Sequence, residues 1–229
     1  MTRQPSISAY ASRLVSSLLL LLLSVASQAQ GFLKYERDSV PLFCGLAVSA
    51  DLVGLAQMQF GDYGQYEAAL RVNLHDQYFP IVEVGYGKAN HDHDEVTGIT
   101  YKTGAPYFRI GADVNLMRLK HTGNRIYAGV RYAFTSYKVD ISRQAFPDPV
   151  WQWDTSFGVR DEQCHQHWAE VVLGIDAKVF GPLHLGWSVR YKRRLAHNDG
   201  QTGKTWYVPG FGTQESTRLG GTFNVIIDI

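Results

Sequence analysis

Beyond residue 30 the 229-residue chain holds no long apolar run, and it has only two cysteines, three methionines and eight prolines. Nothing after that point reaches the ~20 apolar residues of a membrane-spanning helix. Two cysteines exclude a disulfide scaffold and a four-thiolate zinc site. An excess of one charge is also missing. The 22 Lys and Arg stand against 21 Asp and Glu, for a net +1. That removes the usual electrostatic case for nucleic acid or an anionic membrane surface as partner. What is abundant is glycine, 22 residues, with aromatics at 13%. Such a composition favours β-structure rich in turns, at a length suited to one domain.

The one strongly apolar stretch stands at the start. Arg3 and Arg13 lead into the six leucines of 18–23, and Ser27-Gln28-Ala29 places small residues before a cleavage point. A charged start, a short apolar middle and a small-x-small site predict an export signal over 1–29. The domain that remains is 30–229, folding outside the cytoplasm. Without a spanning helix, such a chain enters a bilayer only as a closed β-barrel.

Period-two alternation dominates this remainder. In 45–55, Leu46, Val48, Ala50 and Leu52 alternate with Gly45, Ala47, Ser49 and Asp51. Tyr66, Ala68, Leu70 and Val72 alternate with Glu67, Ala69, Arg71 and Asn73, and Val82, Val84 and Tyr86 with Ile81, Glu83 and Gly85. The same pattern recurs over 107–116, 126–134, 168–179, 183–192 and 219–229, with Ile226 out of phase in the last. One apolar and one charged or glycine-rich parity mark half-polar strands, eight in all.

Loop lengths and charge then choose between barrels. The connections fall at 60–64, 73–79, 88–105, 117–124, 142–166, 180–182 and 197–214. The three longest are the third, fifth and seventh, which leave the same rim of an up-and-down meander. Long loops on one rim and short turns on the other are the outer-membrane arrangement. On the polar parity, Asp51, Glu67, Glu83, Asp113, Glu170 and Asp176 stand against Arg71, Arg109, Arg131, Lys178, Arg190 and Lys192. Six acids and six bases balance, as charges that fill an eight-stranded lumen must. A soluble lipocalin-like barrel would instead turn the apolar parity inward. Tyr78, Phe79, Tyr86, Tyr101, Tyr107, Trp168, Phe180 and Tyr191 lie near segment ends, where headgroup-zone rings belong.

Several stretches carry a family resemblance. They include 51–54, Glu67-Ala68-Ala69-Leu70-Arg71-Val72-Asn73-Leu74 and Tyr78-Phe79-Pro80-Ile81-Val82-Glu83-Val84-Gly85-Tyr86-Gly87. Ala105-Pro106-Tyr107-Phe108-Arg109-Ile110-Gly111, Asp148-Pro149-Val150-Trp151, Gly186-Trp187-Ser188-Val189-Arg190-Tyr191-Lys192 and Trp206-Tyr207-Val208-Pro209-Gly210 complete the set. Over nearly the whole mature chain they resemble a domain-of-unknown-function family of outer-membrane β-barrel proteins from Bacteroidota. The resemblance implies a Gram-negative outer-membrane address and no chemistry. Barrels of that kind commonly end in an aromatic residue, whereas this strand ends in Ile229.

Candidate chemistry is sparse. His91-Asp92-His93-Asp94-Glu95 and the Cys164, His165, His167 cluster lie on one predicted rim, and would form a metal site only if their loops met. Their spacing matches no established zinc motif, and a hydrophilic surface loop is the simpler reading of each. Ser188 and His184 share a parity but stand four residues apart, roughly 13 Å along a strand. No nucleophile elbow is present. Gly85-Tyr86-Gly87 and Gly210-Phe211-Gly212 lack the context of phosphate loops. The apolar runs 148–151 and 206–210 either pack over the barrel mouth or present a contact surface. Cys44 and Cys164 are expected at opposite rims and unpaired.

The expected fold is an eight-stranded antiparallel up-and-down transmembrane β-barrel. The expected function is a non-enzymatic outer-membrane protein with a closed, charge-filled lumen, structural or surface-binding through three long extracellular loops. No cofactor and no nucleic acid are expected. Outer-membrane lipid, the barrel-assembly machinery and an extracellular loop partner are the partners implied. The alternatives are an outer-membrane hydrolase or metal enzyme using loop histidines, and a soluble periplasmic lipocalin-like carrier.

Overall fold

Each of the eight alternating stretches contributes one strand, and the eight strands close on themselves. The computed structural model describes residues 40–92, 98–147, 154–198, 200, 205–213 and 215–229, with backbone alone at 144–147 and 154–155. Two units separate, Met1–Val40, of which Val40 alone is described, and Pro41–Ile229. The predicted export signal, His93 to Glu95 and 148–151 lie outside the described residues.

The barrel strands are β1 (Phe43–Asp51), β2 (Tyr63–Leu74), β3 (Tyr78–His91), β4 (Ile99–Asn115), β5 (Arg125–Pro147), β6 (Asp154–Phe180), β7 (Leu183–Asn198) and β10 (Thr217–Asp228). Each pairs antiparallel with the next, and β10 closes on β1 from Ala47↔Asp228 to Asp51↔Asn224. Amides of Leu46 and Ile229 exchange bonds of 3.1 and 2.7 Å, extending that seam. Two short strands, β8 (Tyr207–Val208) and β9 (Gly212–Thr213), form a separate ribbon within the connection before β10.

Parity decides which side chains face which way. Val82, Val130 and Leu173 are 48, 61 and 58% exposed, while Glu83, Arg131 and Glu170 are at most 3% exposed. The greasy set faces out and the ionised set faces in. On β3 the outward residues run Tyr78, Pro80, Val82, Val84 and Tyr86, and then turn polar at Lys88 and Asn90. Tyr78 to Tyr86 covers roughly 26 Å of strand, about 20 Å of height once tilted.

Above that level the hydropathy of the two faces is exchanged, although the geometry is unchanged. Ala89, Tyr101, Ala105, Val139 and Cys164 are buried inside, while Lys102, Lys138 and Asp140 stand outside. This exchange corrects two predicted loops. Most of 88–105 and 142–166 is ladder, paired as far as His91↔Tyr101 and Pro147↔Asp154. A polar outward face looked like loop because the sought pattern was apolar outward.

Three further expectations are corrected. The first strand stops at Asp51, and Leu52–Phe60 forms α1. The Asp51 carboxylate accepts the Val53 and Gly54 amides, each at 3.1 Å, and so caps the helix. The seventh connection folds back onto the barrel instead of reaching outward, as described below. Of the eight rim aromatics, Phe79, Tyr101, Tyr107 and Trp168 are buried in the interior, whereas Tyr78, Tyr86, Phe180 and Tyr191 face out.

Glycine makes room for the large inward side chains. Gly85 lies directly across the ladder from Tyr107, and Gly174 from Tyr127. In both cases the tyrosine ring occupies the place a Cβ would take. The Gly174→Val variant is therefore expected to cost about 1–3 kcal/mol through overpacking. At outward-facing Gly221 an added Cβ meets nothing closer than 3.7 Å, so Gly221→Ala is expected to stay within about 0.5 kcal/mol. Urea unfolding midpoints compare the two.

Candidate functional site

The lumen is the most heavily built part of the molecule. At its centre Glu83 of β3 meets three guanidinium groups: Arg109 of β4 at 3.1 Å, Arg131 of β5 at 3.1 Å and Arg190 of β7 at 2.7 Å. Glu67 of β2 pairs with Arg109 and, at 3.2 Å, with Arg190. It also accepts the Tyr107 hydroxyl at 2.7 Å. Glu170 of β6 faces Arg109 at 2.9 Å and accepts the Trp168 indole N–H at 2.6 Å. Six strands thus meet in one cluster, positioned by adjacent ladder partners such as Glu83↔Arg109 and Arg131↔Glu170.

A line of ion pairs descends from there toward the end that carries the short turns. Arg131 pairs with Asp113 at 2.7 Å and Asp113 with Arg71 at 3.5 Å; Arg71 reaches Asp176 across the lumen at 2.5 Å. Asp176 continues to Arg125 at 3.4 Å, Arg125 to Asp228 at 3.6 Å, and Asp228 to His184 at 2.9 Å. Rings stack on the guanidinium groups along the way, with Arg71 5.0 Å from the Tyr127 centroid and Arg109 4.6 Å from that of Tyr107. Among the twelve predicted lumen charges, nine join this network through ion pairs.

The other three are placed differently. Asp51 is buried, yet it accepts backbone amides of α1 and of Phe223, the latter at 3.2 Å. Lys192 is buried and donates to the Gly210 and Phe211 carbonyls at 2.7 and 3.3 Å. Lys178 is exposed, which corrects its predicted place in the lumen. It sits near the β6–β7 turn, where the wall ends and its side chain reaches water. Arg125 takes the missing place. It shares the parity of Arg131 but precedes the first residue of the predicted segment, so a one-residue boundary error hid it. The buried charges among the described residues are still six acids and six bases.

Residues 205–213 close the other end. Thr205, Tyr207, Val208 and Phe211 are buried against Tyr101, Tyr137 and Trp168. Tyr101 donates to the Tyr207 carbonyl at 2.7 Å, and Arg109 to the Gly210 carbonyl at 2.8 Å. Gly210 adopts φ +78°, and its bare Cα lies against the Tyr107 ring. The interior therefore has an ionic lower storey and an aromatic upper one. A pocket among the ion pairs, lined by Asp51, Glu83 and Arg190, measures about 10 Å³, room for about one water.

Among the described residues the other candidates do not assemble. Cys164 faces inward while His165 and His167 face the opposite side of the wall, and His167 Nδ1 lies 2.8 Å from the Tyr132 hydroxyl. His91 Nδ1 lies 2.8 Å from Asp62. Among the described residues no three ligating side chains converge. Ser188 bonds Thr222 at 2.7 Å and His184 turns to Asp228, so the two form no dyad. Cys44 and Cys164 are not joined by a disulfide.

Removing one member of the hub strands its partners. Glu83→Gln is expected to destabilise by about 3–5 kcal/mol, because three guanidinium groups lose a shared carboxylate. Lys178→Gln is expected to change stability by less than about 0.5 kcal/mol. Urea titration of the two variants measures the contrast.

No curated protein matches the chain. Among solved structures it is similar to a major outer membrane protein from Thermus thermophilus, at 13% identity and TM-score 0.39, over 81% of this chain and 98% of that one. It is also similar to CarO from Acinetobacter baumannii, at 13% identity and TM-score 0.39, over 85% of this chain and 100% of that one. CarO2 from the same species gives 12% identity and TM-score 0.38, over 83% and 100%. A family model described as "Domain of unknown function (DUF6048)" matches residues 10–228, and the chain belongs to that family.

Proposed function

We propose that the protein is a non-enzymatic barrel of the bacterial outer membrane, closed to solutes, which acts as a structural or surface-binding element. One observation carries this reading: an apolar outer belt surrounds an ionic, self-neutralised interior. The arrangement suits hydrocarbon outside and no flow inside. Going up the wall, outward residues turn from apolar to charged between Tyr86 and Lys88 on β3, Pro106 and Lys102 on β4, and Phe134 and Lys138 on β5, as a water boundary requires. A soluble carrier would need the reverse, with an apolar cavity for its ligand, and the pocket among the ion pairs holds about one water.

This reading implies three partners. Outer-membrane lipid covers the belt, and insertion calls for the barrel-assembly machinery. An extracellular partner would meet the upper ladder of β5 and β6, which extends past the ends of β4 and β7. The predicted three external loops reduce to two in this role, because 205–213 fills the mouth.

The full-length protein is expected in the envelope fraction, with gel mobility that changes on heating. It is expected to give no steady current in planar bilayers. Val130→Arg, on the outer belt, is expected to lower stability in vesicles by up to about 2–4 kcal/mol, while Lys178→Gln, near the β6–β7 turn, is expected to change it by less than about 0.5 kcal/mol. A freely soluble monomer, or a large steady conductance, would overturn the proposal.

A further inference from the structure

The outer wall is not uniform at the height where apolar gives way to polar. On β1 to β4, Ala50 pairs with Ala68, Ala68 with Val84 and Val84 with Phe108. The next row up is Tyr66, Tyr86 and Pro106. Two alanines and a valine leave a low floor; Tyr66, Tyr86 and Phe108 stand around it, and Leu55 of α1 forms one side. The result is an apolar groove of about 430 Å³. Helix α1 carries no charged residue and exposes Leu52, Val53, Leu55 and Phe60 beside it.

Directly above, the wall opens a second concavity with different chemistry. Lys88, Gly104 and Lys138 occupy one register row on β3, β4 and β5. Gly104 is its floor, and the Tyr86 hydroxyl lies 2.7 Å from where a Cβ would stand. Lys102 sits two residues higher on β4. This concavity measures about 480 Å³ and shares Tyr86 with the groove below. The lysine row lies two residues above the tyrosine row, roughly 7 Å along the strand.

Acidic groups are also present and limit the charge. Lys102 meets Asp92 at 3.3 Å and Lys138 meets Asp161 at 3.1 Å, all four side chains being more than half exposed. Asp140 accepts the Asp161 amide at 2.8 Å. Lys88 makes no ion pair among the described residues. Exposed pairs of this kind hold weakly, so an incoming anion competes for the two ammonium groups. The chain's net charge of +1 conceals this local row.

From this stacking we infer a lipid-binding site. One acyl chain of an outer-leaflet lipid lies in the groove beside α1, and its phosphate is held over Gly104 by Lys88, Lys102, Lys138 and the Tyr86 hydroxyl. This rests on the membrane reading above, because the groove is continuous with the belt that reading places in lipid. A phosphorylated lipid is favoured over free phosphate because the apolar and basic parts are contiguous through a single residue, Tyr86.

The test uses the full-length protein in detergent, titrated with phosphatidylglycerol or phosphatidylcholine and read by native mass spectrometry. One phosphatidylglycerol is expected to remain bound at concentrations where phosphatidylcholine does not. Lys88→Gln and Lys102→Gln are each expected to weaken its retention about fivefold, the weight of one basic residue near an anionic surface. Ala68→Leu, which fills the floor from the outer face, is expected to weaken retention with the lysines intact. Equal retention of both lipids, insensitivity to all three variants, or displacement by inorganic phosphate at equal concentration would overturn the site. Heat-modifiable mobility, recorded on the same samples, separates the outcomes. Folded, vesicle-inserting protein without lipid preference rejects the site alone, whereas protein that does not insert rejects the membrane reading.

Discussion

Charge neutrality in a closed space is the constraint on which the rest of this molecule depends. An ionised side chain removed from water is tolerable only when opposite charge and hydrogen bonds replace the solvent it lost. Here acids and bases are distributed over the wall so that neighbouring strands present opposite signs, as at Glu83↔Arg109 and Glu170↔Lys192. A one-residue slip of any strand would send its charges to the apolar exterior and its apolar residues into the network. The network thus fixes register on most of the wall at once. Replacing such a network with apolar side chains can leave a protein equally stable. What that exchange would lose here is the coupling between register and closure.

The alternation that reveals this wall is legible in sequence as far as the surroundings stay constant. Geometry has period two along the whole of β3, yet hydropathy has it with one sign at Val82 and Val84 and the other at Lys88 and Ala89. The part of each strand with an apolar outer face was therefore readable, and its extension above Tyr86 was not, because there the same pleat turns polar side chains outward and packs apolar ones inside. The 205–213 segment was half readable. Trp206 to Gly210 announced an apolar contact, but the burial of Tyr207 and Val208 depends on Tyr101 and Trp168, more than thirty residues away in sequence.

The site shows a similar division. Eleven of the twelve charges assigned to the lumen by parity are buried. Parity gives the face of the wall but not the height along it, so it does not say where the wall ends. Lys178 lies beyond that limit and Arg125 within it. Nor does parity identify partners. Asp51 bonds to a helix terminus and Lys192 to loop carbonyls, because backbone groups exposed by α1 and by the plug also need satisfying. Those elements leave no trace in an alternation pattern.

The plug at the mouth is tied directly to the ionic hub below it. Arg109 holds the Gly210 carbonyl and three carboxylates together, so the plug and the ionic hub share a residue and neither moves without disturbing the other. With the interior filled by balanced charges, the outer surface is where the proposed partners would be met. That surface is anisotropic: a low alanine floor and a glycine between lysines interrupt it on β1 to β5, whereas Val171, Leu173 and Ile175 of β6 present a continuous apolar face. Small residues on an apolar outer wall give up apolar area that larger ones would contribute. Their concentration beside α1 and beneath a lysine row is better explained by an occupant than by the stability of the barrel itself.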